Sequence, residues 1–282
     1  MSRVFSIEKR EENMTIDTGL PPRYEIRTLA GPEHARWASA LVTHCSIFAS
    51  PVFSKIHHHI HNSKAQLCYA MFHAALYQMS HQVESGLSLG VFDTEYQFKR
   101  PESAETGGKL YWELDGVENC SEQDLLEQMD FPLVSVALAF DSFFPLDVAR
   151  LGPLFELLPL LPLRNRATDR RDLRNPSEWR ATGPGQVLSR GGTATKAGEG
   201  GRGFMKKLSW YMMRKAAADG FRGIQIGCMH DAVSAVWVNP PAPFTAEVVV
   251  RFRCAEDEDE ELRRCCKGSD QEVTRIYVTL KA

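Results

Sequence analysis

The chain has 282 residues, 33 basic and 36 acidic, for a formal net charge of −3, and 43% of it is hydrophobic, enough for a substantial buried core. So weak a field does not draw in a polyanion, which sets nucleic acid aside as a main partner. No run of about 18 apolar residues could span a bilayer, and the N-terminus, MSRVFSIEKREENMTI, lacks the apolar stretch of a secretory signal. The expectation is a cytoplasmic protein that needs no membrane. The seven cysteines are odd in number, scattered and nowhere spaced C-x-x-C, which predicts free thiols and neither a disulfide framework nor a metal site.

Residues 1–21 are polar and end at Pro21-Pro22, so they read as a flexible N-terminal arm before a single domain over 22–282. A strand is expected from Tyr24 to Leu29. Gly31-Pro32-Glu33 opens a helix with Trp37, Leu41 and His44 on one face, and a longer amphipathic helix runs from Lys64 to Glu84. Strands follow at Leu87 to Phe92, Lys109 to Glu113 and Leu133 to Phe140. The stretch 146–182 is Leu- and Pro-rich and then charged, and its prolines exclude one continuous helix. It reads as an insertion carrying a short helix or two. Next come a strand from Gln186 to Arg190, a loop from Gly191 to Gly203, a helix from Phe204 to Asp219, a strand from Gly223 to Gly227 and a short helix from Asp231 to Val238. Strands Ala246 to Phe252 and Val273 to Leu280 flank an acidic hairpin loop over 253–272, expected to be solvated. Alternating strands and helices make the fold α/β or α+β, with a mixed sheet and helices on both faces.

The segment from Leu188 to Gly227 carries the chemistry that can be named. It reads as strand, glycine-rich loop, helix and strand, an order in which loop amides and the unpaired N–H groups of the first helical turn form a donor surface for a pyrophosphate. Arg202, Lys206 and Lys207 crowd a helix N-terminus, where the dipole disfavours cations, and a bound anion would relieve that conflict. A plain turn before a helix is the competing reading. No Gly-Lys-Ser/Thr ends the loop, and G-x-G-x-x-G is absent, so it is neither a P-loop nor a dinucleotide fingerprint.

Gly198-Glu199-Gly200-Gly201-Arg202-Gly203 resembles motif A of the GNAT superfamily of acyl-CoA N-acyltransferases, whose loop reads Q/R-x-x-G-x-G/A before a long helix. The wording of RPESAETGGKLYW, MDFPLVSVALAFD, TGPGQVLSR and GFRGIQIG is similar to fungal members of that family. The resemblance implies a mostly antiparallel sheet splayed between two central parallel strands, with acetyl-CoA as co-substrate. It places the cofactor on Leu188, Ser189, Arg190, Gly198, Gly200, Gly201, Arg202, Gly203, Phe204, Met205, Lys206 and Trp237. It also implies transfer of an acetyl group to a small-molecule amine by direct attack on the thioester. The alternative is a CoA-binding protein of the same fold with little or no turnover and a regulatory or scaffold role.

Two departures stand out: Gly198 replaces the usual Gln or Arg, and Trp237 falls where many members place a tyrosine that protonates the departing thiolate. An indole N–H cannot serve as that acid. His230, Ser234 and Cys228 lie nearby. Because a free alkylamine with pKa ~10 is protonated at neutral pH, a base is needed, and Asp141, Glu95 and Asp93 stand at strand ends as candidates. Tyr96, Tyr111, Trp112 and Trp179 could line an acceptor pocket or belong to the core. The run His57-His58-His59-Ile60-His61 reads as a solvated or substrate-entrance loop, with metal binding as the other option. The slight acidic excess favours a cationic amine, and the C-terminal strands with the acidic hairpin offer a surface for a homodimer.

Overall fold

Apolar alternation gathers nine strands among the residues that the computed structural model describes, 16–55, 63–113 and 115–281. They are β1 (Tyr24–Thr28), β2 (Leu89–Asp93), β3 (Lys109–Leu110), β4 (Met129–Asp130), β5 (Leu133–Asp141), β6 (Val187–Thr195), β7 (Gly223–Cys228), β8 (Thr245–Arg253) and β9 (Glu272–Thr279). Seven form one sheet in the order β1-β2-β5-β6-β7-β9-β8, and only β6 and β7 pair in parallel. The expected strand from Lys109 to Glu113 shrinks to two residues that pair with β4 outside this sheet. Trp112, just beyond it, is drawn into the core and donates its indole N–H to the Leu125 carbonyl at 2.9 Å.

β5 explains the layering. Successive strand residues face opposite sides, so Val136 and Leu138 join one apolar cluster while Ala137 and Ala139 join the other. On the first side lie α1 (Gly31–His44) and α2 (Lys64–Glu84), which contribute Trp37 and Leu41 and Met71, Phe72 and Met79. Ser63 caps α2 by accepting from the Gln66 N–H at 3.1 Å. Two short helices, α3 (Pro101–Thr106) and α4 (Glu122–Glu127), edge that layer.

The insertion resolves into α5 (Gly152–Leu157), α6 (Leu160–Arg171) and α7 (Pro176–Trp179), with Pro153 and Pro176 in first turns, where a missing N–H costs nothing. Asp169 and Asp172 fasten α6 to Arg275 of β9, at 2.6 and 2.9 Å. On the opposite side of the sheet, α8 (Phe204–Ala218) buries Phe204, Leu208, Met212 and Ala216 at the i, i+4 spacing the sequence predicts. α9 (Asp231–Trp237) then follows β7.

The acidic segment departs from expectation. β8 and β9 form the predicted hairpin, but their connection folds into a tight turn at Cys254–Glu256 and α10 (Glu260–Cys265). Leu262, Cys254 and Cys266 pack against Leu160 and Leu163 of α6, and Asp257 is 2% exposed, ion-paired with Arg171 at 2.9 Å. Three apolar side chains within the charge run are enough to anchor it, and Asp259 caps the helix. Residues 1–15 of the expected arm and the run His57 to His61 lie outside the described residues.

Candidate active site

The parallel pair at the sheet's centre separates partway along its length. β6 and β7 are paired from Val187 opposite Gly223 to Arg190 opposite Ile226 and no further. Beyond that point β6 stays with β5 as far as Thr195, and β7 stays with β9 as far as Cys228. Each strand is therefore held by its outer neighbour while the inner edges part, leaving backbone N–H and C=O groups to which an extended amide chain can pair. β6 is longer than the sequence suggests because Gly191 and Gly192, read there as loop, continue the strand along the gap. A methyl group on Gly191 would lie 2.7 Å from Gln82 Cδ, so any larger residue there would push the Gln82 amide aside.

At the end of β6 the chain turns through Lys196 to Gly203 into α8. Gly201 and Gly203 adopt φ of 77° and 75°, the left-handed region open to glycine. Gly203 is the N-cap and offers no side chain, and the N–H groups of Phe204, Met205 and Lys206 have no acceptor among the described residues. These donors converge where the helix dipole is positive. Of the nearby cations, Arg202 is tied to Glu199 at 2.9 Å, and Lys206 Nζ sits 4.3 Å from the Trp210 ring centre. Glu199 also accepts from the Tyr24 hydroxyl at 3.1 Å. The donors that the loop leaves open are thus backbone amides, while Arg202 and Lys206 are already engaged.

A cavity of about 500 Å³ opens from the gap between β6 and β7 toward α1, α2, α5 and α6. Its titratable walls are Arg164 of α6, Arg190 of β6, Arg275 of β9, His230 and the thiols Cys45 and Cys228; among the described residues no Asp or Glu lines it. Burial pushes the Cys228 thiol up to about 11 and raises Cys45 as well. Both thiols are therefore held in their neutral form at neutral pH, which makes them poor nucleophiles. His230 caps α9, its Nδ1 accepting from the Ala232 N–H at 3.2 Å. A neutral ring so placed carries its proton on Nε2, which makes it a donor.

The sequence-stated site residues scatter between cavity, loop and core. Ser189 and Arg190 line the cavity, and Gly198, Gly200, Gly201, Arg202, Gly203, Met205 and Lys206 form the loop and first helical turn. Leu188 and Phe204 turn their side chains into the core; Phe204 meets Tyr24 edge-on at 4.7 Å, leaving only its backbone to a ligand. Trp237 is 0% exposed in that same core, not on the cavity wall, and lies under the Arg190 guanidinium at 5.5 Å. Ser234 is buried against Thr274 at 3.0 Å, also off the cavity.

None of the three carboxylates offered as bases lines the cavity. Asp141 holds a turn, accepting from the N–H groups of Phe143 at 3.0 Å and Gly185 at 2.6 Å, and Asp93 binds Arg23 at 2.6 Å. Glu95 follows Asp93 in the turn after β2, at the sheet edge away from β7. Tyr96, Tyr111, Trp112 and Trp179 are likewise off the cavity wall. Sequence reasoning missed Gln82 and Arg164. Arg190, which the resemblance places at the cofactor, also carries a signal of its own: an arginine amid VLSRGG has no solvent to enter if the strand is central.

No protein-family model and no curated protein sequence matches the chain. Solved structures do. The C-terminal condensation domain of Ebony, in complex with beta-alanyl-dopamine, aligns over 90% of this chain and 98% of its own at a TM-score of 0.55 and 14% identity. The chain has the GNAT fold. This GNAT-fold chain also aligns with arylalkylamine N-acetyltransferase 2 from Aedes aegypti, over 92% and 99% of the two chains, with a TM-score of 0.54 and 10% identity. A Drosophila melanogaster polyamine N-acetyltransferase that forms N-acetylagmatine gives 0.51 and 12%, over 90% and 98%. No described helix is long and apolar enough to cross a membrane, and no described group of His, Cys, Asp or Glu has the makings of a metal site.

Proposed function

We propose that the chain is an N-acyltransferase that moves an acyl group, acetyl in the simplest case, from a CoA thioester to a small-molecule amine. The observation that carries this reading is the parting of β6 and β7 directly before a glycine loop and an uncapped helix N-terminus, with a deep cavity at the gap. The loop amides of Gly198 to Gly203 and the first turn of α8 hold the pyrophosphate, and the pantetheine amides pair with the open strand edges. Ebony's condensation domain, the arylalkylamine enzyme and the polyamine enzyme support a small amine as acceptor. Seven free cysteines and no disulfide support a cytoplasmic site of action.

The chemistry then follows from the cavity walls. Attack needs a neutral amine, and an amine entering a site with Arg164 and Arg190 and no carboxylate has its pKa lowered by like charge and by burial. Its lone pair adds to the thioester carbonyl, the C–S bond breaks as the tetrahedral centre collapses, and the proton lost from the amine nitrogen ends on the departing thiolate, directly or through water. His230 Nε2–H and the Cys228 thiol are the donors available to the developing oxyanion or thiolate. A CoA-binding protein without turnover is the second reading, and the absence of any described carboxylate from the cavity favours it. Release of free CoA from acetyl-CoA across a panel of amines separates the two. Turnover that Gly203→Glu abolishes is the expected result; CoA binding without turnover supports the second reading, and no binding removes both.

A further inference from the structure

The cavity holds two guanidinium groups that lack a counter-charge. Arg190 is 5% exposed; it donates to the Leu138 carbonyl and, at 2.7 Å, to Thr193 Oγ1, and its Nε is buried without a partner. Burial lowers its pKa to about 10. Arg164 enters from α6 on the other side of the gap, so close to β7 that a methyl group on Gly227 would lie 3.0 Å from its Nη1. Its Nε is also buried without a partner. Among the described residues neither arginine has a carboxylate within ion-pairing distance. Asp169, whose charge reaches Arg164, and Asp172 are engaged by Arg275, and Asp172 also by Arg174 at 2.7 Å. Beside them the amide of Gln82, 0% exposed, has both its oxygen and its nitrogen unpaired at the cavity wall.

Arg190 is buried and Arg164 half-buried in the cavity wall, and arginines so far removed from water are ordinarily paired, because an uncompensated charge there costs far more than a surface one. We infer that the cavity recognises a carboxylate carried by its small-molecule substrate, held between Arg164 and Arg190 where β6 and β7 part. Two rigid guanidinium forks suit a planar carboxylate better than any other small anion of one charge. This inference rests on the acyl-transfer reading and narrows its substrate class. It reverses the preference for a cationic acceptor suggested by the overall charge, since nothing described in the cavity offers a polyamine a counter-charge. The carboxylate can come from an amino-acid acceptor, whose amine is then kept neutral by the same arginines, or from a dicarboxylic acyl group on CoA.

Isothermal titration of the full chain, with and without CoA, tests this with pairs that differ only in the carboxylate. One arm compares tyrosine with tyramine, β-alanine with ethylamine and phenylalanine with phenethylamine; the other compares succinyl-CoA with butyryl-CoA. At least tenfold tighter binding of the carboxylated member in one arm is expected, and the arm identifies the source. Arg164→Met is expected to abolish that preference while keeping the melting temperature and the affinity for CoA itself; Arg164 is the better variant because Arg190 also ties β6 to Leu138. Equal affinity within every pair, no binding of either member, or a preference that survives Arg164→Met overturns the inference. Loss of CoA binding in the wild type, by contrast, would fault the acyl-transfer reading, and the titrations without CoA would still report on the arginines.

Discussion

Trp237 separates what a residue's position in the sequence implies from what its surroundings allow. Its ring fills the core beneath Arg190, and its indole N–H has no partner among the described residues. Trp237→Phe therefore acts on packing: we expect a loss of about 1–3 kcal/mol in chemical denaturation and a CoA affinity unchanged within about threefold. A large fall in CoA affinity with unchanged stability would restore it to the cofactor site. Gly191 gives the converse case. Gly191→Ala is expected to displace the Gln82 amide from the parting strands, lowering turnover roughly tenfold with little change in melting temperature; unchanged turnover would remove Gln82 from the site. The loop glycines were legible in the sequence because left-handed backbone leaves a compositional mark. Gln82 and Arg164 were not, because one polar residue on a long helix and one arginine in a charged run look like surface.

Among the elements, those with strong periodicity were read nearly to the residue. α2 begins and ends where its pattern predicts, with Ser63 as cap, and Ser63→Ala is expected to cost about 1 kcal/mol in chemical denaturation. An effect below the error of that measurement would mean that the cap is redundant with the packing of α2. The strand expected from Lys109 to Glu113 was overread because only Lys109 and Leu110 find a partner strand, while Trp112 turns into the α1–α2 core. The acidic connection was underread for the opposite reason: its charges mask the apolar Leu262 and the two cysteines that pack on α6. No periodicity marks the parting of β6 and β7. It depends on how β5 and β9 hold the two strands, a contact between segments far apart in the chain.

For the whole molecule, the insertion matters because it closes one wall of the cavity, and Asp172 is its fastening. Arg174 and then Arg275, donating to it at 2.7 and 2.9 Å, hold its carboxyl well below the usual carboxylate range, and its side chain is 5% exposed. A depressed folded pKa gives stability that is present above the unfolded value near ~4 and lost as pH falls below it. Wild type is expected to lose roughly 2 kcal/mol between pH 5 and 2 through this group, and Asp172→Asn to be less stable at pH 7 and to lose less on acidification. Parallel pH profiles for the two proteins would contradict that assignment.

On the acyl-transfer reading, the gap between β6 and β7 and the loop before α8 form one CoA site. Titration of the purified chain with acetyl-CoA by calorimetry tests it most directly. One site per chain, weakened at least about tenfold by Gly203→Glu at an unchanged melting temperature, is the predicted result. The absence of saturable heat, or binding that Gly203→Glu leaves intact, would contradict it.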